Sequence, residues 1–197
     1  MNKKYFVLYF ITTFALIYFL SSCSILKQGQ ELKTFTHCDF SVENVSIISI
    51  AGVNVAGYDN VKDLSINDYL QLAKEAFSND IPSELEIEVK AKNSSEKRAY
   101  ISGLDWQLYF MDDLYTEGVI SDPVEVLPNR SSTFKVVANV NLLKILHSKS
   151  LPELLKLVIE KNSSIDLSEL DVTLKVKPWY QSGSGLKTYP GYISIKP

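Results

Sequence analysis

The residues able to act as nucleophiles, imidazole bases or soft metal ligands are few: Cys23, Cys38, His37 and His147. His37 and Cys38 are neighbours in the run "FTHCDFSV", which reads as the first β-strand. Adjacent strand residues point to opposite faces, so the pair cannot form a dyad or hold a metal from one side. His147 falls on a leucine-rich helical stretch near Lys149, and a structural role is expected for both histidines. No Ser-His-Asp order, HExxH, Gly-rich phosphate loop or Cys-x-x-Cys is present. Asp112, Asp113 and Asp122 lack the alternating oxygen ligands of a calcium loop and read as solvated turn. Glu84, Glu86 and Glu88 share one strand face. With no apolar pattern to bury one and raise its pKa, they read as a wet surface, not an acid–base pair. No metal, cofactor or enzymatic chemistry is expected.

Cys23 has a different setting. Lys3 and Lys4 precede an uncharged run from Tyr5 to Leu20, somewhat short of the roughly 20 residues that cross a bilayer. Then comes Leu20-Ser21-Ser22-Cys23, which resembles the bacterial lipobox: an aliphatic residue, two small ones, a cysteine. The resemblance implies a diacylglycerol on the Cys23 thiol, cleavage before it, and acylation of the new amino group. A thiol is nucleophilic enough to take the lipid, and small neighbours let a peptidase reach the backbone. Several acyl chains, at about 0.8 kcal/mol per buried methylene, then hold the protein without a spanning helix. The plainer alternative is an uncleaved anchor helix that contains a cysteine.

Ser24 follows in place of the aspartate of inner-membrane retention, and no acidic export cluster comes next. A periplasm-facing outer-membrane lipoprotein is the resulting expectation. The chain then divides into a signal peptide, 1–22, a lipidated tether, 23–34, and a domain, 35–197.

The whole chain carries 20 basic and 23 acidic residues, a net charge of −3. Loss of Lys3 and Lys4 with the signal makes it more acidic. That balance argues against nucleic acid as a partner and against electrostatic adhesion to anionic lipid. Once Cys23 is lipidated, Cys38 has no disulfide partner, and a buried, inert thiol is expected.

These groups need elements to position them. "FSVENVSIISIAGVNV" reads as two short strands. Ser65 to Asp68 has the form of a capping box, opening a helix over about 66–78 with Ile66, Tyr69, Leu70, Ala73, Ala76 and Phe77 as its apolar stripe. Period two then takes over at Leu85, Ile87, Val89 and Ala91, at Leu104 to Phe110, and at Phe134 to Leu142. A second helix begins near Leu142, with a capping box at Ser150 to Glu153. Leu170 to Val176 alternates again, "YQSGSGLKTYPG" reads as a long Gly-rich turn, and Tyr192 to Ile195 closes the chain. The fold class predicted is mainly β: an immunoglobulin-like antiparallel β-sandwich with two inserted helices plugging its ends.

An alternating strand ending in Asn93, then a turn, then "YISGLDWQLYFMDDLYTEGVISDPVEVLPNRSSTFKVVANVNL", resembles the late embryogenesis abundant type 2 (water-stress and hypersensitive-response) family. The family's Asn-Pro-Asn-like turn corresponds to Asn93-Ser94-Ser95, without the proline, and the helix at 66–78 is an addition. The resemblance implies the sandwich, a non-enzymatic and stress-related module, and no catalytic residues. Trp179, Tyr180, Tyr189 and Tyr192 surround the loop at 181–188 and form a candidate recognition surface, with a packed core plug as the alternative. The reading is a lipid-anchored envelope protein that binds or supports an unnamed partner. Two other options stand beside it: an accessory subunit of an outer-membrane assembly, and an enzyme whose site assembles only in the fold.

Overall fold

The computed structural model describes residues 27–55, 58, 60–76, 80–145, 155–156, 159 and 172–196. The signal segment, Leu20, Ser21, Ser22, Cys23, His147 and the capping box at Ser150 to Glu153 lie outside the described residues.

Residues 27–36 form a helix, α1, where a polar tether was expected. It forms because Leu32 and Phe35, one turn apart, are both buried, Phe35 completely. Phe35 to Cys38 therefore belong to the helix and its exit. The first strand, β1, is Asp39–Ile50.

β1 pairs with β2 (Val53–Asn54) and β3 (Pro82–Asn93), and β3 pairs with β8 (Arg130–Asn141), all antiparallel. A second sheet is built on β5 (Gly103–Phe110), flanked by β6 (Asp113–Ile120) and β9 (Val172–Ser182). β9 also pairs with β10 (Gly185–Thr188) and β11 (Ile193–Ile195). A small ribbon of β4 (Ala99–Ile101) and β7 (Val124–Val126) completes the strands.

Alternation dictates the layering. Leu85, Ile87 and Val89 of β3, Phe134, Val136, Ala138 and Val140 of β8, Leu104, Trp106 and Leu108 of β5, and Leu174 and Val176 of β9 are all buried in one core. The mainly β, antiparallel sandwich is as predicted.

Two local expectations change. The "long turn" after Tyr180 is a tight hairpin: β9 continues to Ser182, which pairs with Gly185, and the Ser182 hydroxyl donates to the Gly185 carbonyl at 2.8 Å. The helix after Ser65, α2, spans Ile66–Ala76. Its cap forms as predicted at Ser65, whose Oγ accepts from the Asp68 amide at 3.1 Å. The Asp68 carboxylate accepts from the Ser65 hydroxyl and from Tyr58, which hold it below its ordinary pKa.

Of the expected apolar stripe of α2, the first three residues face out, Ala73 is half-buried, and the Ala76 side chain and Phe77 lie outside the described residues. Ile66, Tyr69 and Leu70 are 81%, 52% and 62% exposed, while Leu72 is buried. Gln71 sets this rotation by donating its Nε2 to the Ala51 carbonyl at 2.7 Å. Of the second expected helix, Leu142–Ile145 (α3) and positions 155, 156 and 159 are described and helical, with Leu155 and Ile159 buried.

Candidate functional site

The groups flagged for chemistry are held in structural roles. Cys38 is buried, donates its thiol toward the Thr34 carbonyl at 3.5 Å, and has its pKa pushed up to about 11 by burial and then by the Asp39 charge. His37 is exposed beside it, its Nδ1–H donating to the Lys33 carbonyl at 2.7 Å. The two side chains do part company, as strand geometry suggested, though at a helix exit. Among the described residues no three His, Cys, Asp or Glu side chains gather as a metal site. The carboxylates of β3 lie on the outer face of the first sheet. Glu84 accepts from Ser49 at 3.1 Å, while Lys135 pairs with Glu86 at 2.8 Å and Glu88 at 3.1 Å. These bonds, Glu86 first, raise the Lys135 pKa.

The four aromatics do not form one surface. Tyr180 and Tyr189 pack against the core. Tyr192 is 45% exposed, with Lys177 Nζ 5.4 Å from its ring centroid. Trp179 lies over Gly103, where a Cβ would sit 2.9 Å from the indole, so only glycine lets the ring settle there. Its buried Nε1–H has no hydrogen-bond partner among the described residues. Trp179 and Tyr180 point to opposite faces by strand alternation, which divides the expected cluster.

Sequence reasoning missed two places. The first is the open seam of the sandwich. Among the described residues β6 and β8 are each paired on one side only, so both sheets end at this seam. Tyr115 bridges its upper part, accepting from the Asn141 amide at 2.7 Å and donating to the Asn141 carbonyl at 3.3 Å. Beside it is a cavity of ≈ 440 Å³ whose lining includes Trp106, Gly118, Val119, Lys135 and Val137. Trp106 reaches the seam because Gly118 has no side chain; a Cβ there would stand 2.5 Å from the indole.

The second place is where α1 meets the β3–β4 turn. Asn93 is buried at the end of β3. Its Nδ2 donates to the carbonyls of Lys97 (2.7 Å), Val126 (3.1 Å) and Leu127 (3.3 Å). Its Oδ1 accepts from the Ser95 amide at 3.0 Å and hydroxyl at 2.8 Å. That shapes the turn which the resemblance placed at Asn93-Ser94-Ser95, with no proline needed.

Arg98, at the end of the turn, meets the buried Glu31 of α1 at 2.8 Å and Glu125 at 3.0 Å, and stacks 5.0 Å from the centre of Tyr100. This clamp ties α1 to the sandwich. Between helix and turn lies a groove of ≈ 390 Å³, lined by Gln30, Lys33, Thr34, His37, the Asn93–Ser95 turn and Lys97.

No protein-family model and no curated protein matches the chain. Among solved structures, a protein from Archaeoglobus fulgidus overlaps it at 15% identity, covering 78% of this chain and 94% of its own, with a TM-score of 0.33. A protein described as a candidate late embryogenesis abundant protein overlaps at 11% identity, covering 91% and 87%, with a TM-score of 0.33. A structural-genomics target overlaps at 8% identity, covering 83% and 89%, with a TM-score of 0.37. These overlaps are loose in geometry and distant in sequence.

Proposed function

We propose that the protein is a lipid-anchored envelope module, held by acyl chains on Cys23, with a late embryogenesis abundant type 2-like domain that binds or supports a partner without catalysis. The folded body is described from Lys27, four positions after Cys23. Its α1 is clamped by Arg98 and by the burial of Leu32 and Phe35, so the anchor leads almost directly into the folded body. That arrangement carries the reading, because it joins the lipobox to a rigid domain and not to a long tether. The engagement of Glu84, Glu86, Glu88 and Cys38 in surface pairing or burial supports a non-catalytic role. Periplasm-facing residence in the outer membrane follows from the residues after Cys23.

The test is Cys23→Ser. It is expected to remove fatty-acid labelling and change how the protein is held in the membrane fraction, leaving the uncleaved precursor. Unchanged labelling and processing would overturn the anchor.

One observation favours the second reading, an accessory subunit of an outer-membrane assembly. Ile66, Tyr69 and Leu70 form an exposed apolar face one turn long on α2. A photo-crosslinking residue at Tyr69 is expected to trap a neighbour in membranes if this face docks.

A further inference from the structure

We infer that the groove between α1 and the β3–β4 turn is a binding site for the anionic headgroups of the leaflet that holds the Cys23 acyl chains. The inference rests on the lipid-anchor reading above and gives it an orientation. The charged side chains lining the groove, Lys33 and Lys97, are both basic, and the His37 imidazole lies beside them. All three are exposed, and neither lysine pairs with a carboxylate among the described residues. Glu96 on the same turn is exposed outside the lining, and Glu31 is taken up by Arg98. The Ser94 side chain and the ≈ 390 Å³ of space suit a phosphate with its polar substituent. Overall acidity argued against adhesion to anionic lipid; this groove is a local exception that a whole-chain sum conceals.

Chain length supplies the second argument. Three residues, and so four Cα–Cα steps, separate Cys23 from Lys27, and whatever their conformation these steps span at most about 14 Å. Lys33 lies six residues further along α1, about 9 Å of helix rise. The groove is thus tethered within about 23 Å of Cys23, and a lysine brought within a Debye length of about 8 Å of the surface is drawn by the negative leaflet potential. The Arg98–Glu31 clamp fixes α1 against the turn, so the two lysines approach the surface as one preformed site and not as independent side chains.

Amide hydrogen exchange on the full lipidated protein tests this, in phosphatidylcholine vesicles with and without phosphatidylglycerol. Segments 30–37 and 93–98 are expected to slow when phosphatidylglycerol is present, by roughly fivefold for each lysine engaged. The double variant Lys33→Glu/Lys97→Glu is expected to lose that slowing. Both substitutions are at exposed positions, and the wild-type comparison between the two vesicles stands without them. Equal exchange in the two vesicles would overturn the site. So would protection of 66–70 in place of the groove, which would lay the apolar face of α2 on the bilayer. Equal protection by inorganic phosphate over phosphatidylcholine alone would assign the groove to a soluble anion and also overturn it. Mass measurement of Cys23 in the same preparation separates the two readings. A bare cysteine sinks the anchor and this inference with it, whereas a lipidated cysteine with an unprotected groove sinks this inference alone.

Discussion

Asn93 makes five hydrogen bonds with one amide, joining the end of β3 to Ser95, Lys97, Val126 and Leu127. Replacing it strands several buried carbonyls at once. Asn93→Ala is expected to cost roughly 2–4 kcal/mol in chemical denaturation. Asn93→Asp should also destabilise, because it sets a carboxylate against carbonyls that need a donor. A loss below about 0.5 kcal/mol for both would contradict the hub. Cys38 gives a pH-dependent counterpart. Its thiol is raised to about 11, so it stays protonated in the fold while the unfolded chain ionises near 9. Stability from this group is therefore complete below about pH 9 and falls as pH rises toward 11. At neutral pH a thiol reagent should label the native protein far more slowly than the denatured one, and equal rates would contradict the burial. The turn after Asn93 and the burial of Cys38 were legible in the sequence, although the five bonds of the amide were not and Cys38 sits at a helix exit and not on a strand. The Arg98–Glu31 pair was not legible, since 67 positions separate the partners and neither stands in a motif.

At the scale of elements, period two was a reliable guide because both sheets bury one face: Leu104, Trp106 and Leu108 are inside as their spacing required. Period 3.6 located α2 but put the first turn of its stripe inside, where it is exposed, and missed Leu72. Ile66, Tyr69 and Leu70 have the spacing of a core stripe, yet the rotation is set by Leu72 and by the Gln71 bond to Ala51, a contact 20 positions back in the chain. Urea melts distinguish the two orientations. Leu72→Ala is expected to cost about 2–4 kcal/mol, whereas Leu70→Ser should fall within about 0.5 kcal/mol of wild type. The reverse order would restore the sequence-based face. α1 was missed for a related reason. Its two apolar anchors are diluted by Lys27, Gln28, Gly29 and Gln30, so the segment looks like a linker until the sandwich offers Leu32 and Phe35 a place to bury. The hairpin after Tyr180 was hidden by its glycines, which favour a loop by composition but here close a two-residue turn between paired strands.

As a whole, the molecule has different surfaces at its parts. α1 and the β3–β4 turn carry the basic groove, the far end of β1 carries the hairpin that α2 holds, and the seam between β6 and β8 runs along one side. A lipid on Cys23 would set the groove toward the bilayer. β1 spans 12 residues, or about 40 Å of strand, which would leave the α2 face directed away from the membrane. On the proposed reading, Cys23 is the attachment point which imposes this order. Intact-mass and N-terminal peptide analysis of the protein extracted from membranes tests it most directly. The expected result is a chain beginning at Cys23, with a thioether-linked diacylglycerol and an acylated amino group. A membrane-extracted chain that still carries residues 1–22, with an unmodified Cys23 thiol, would contradict it.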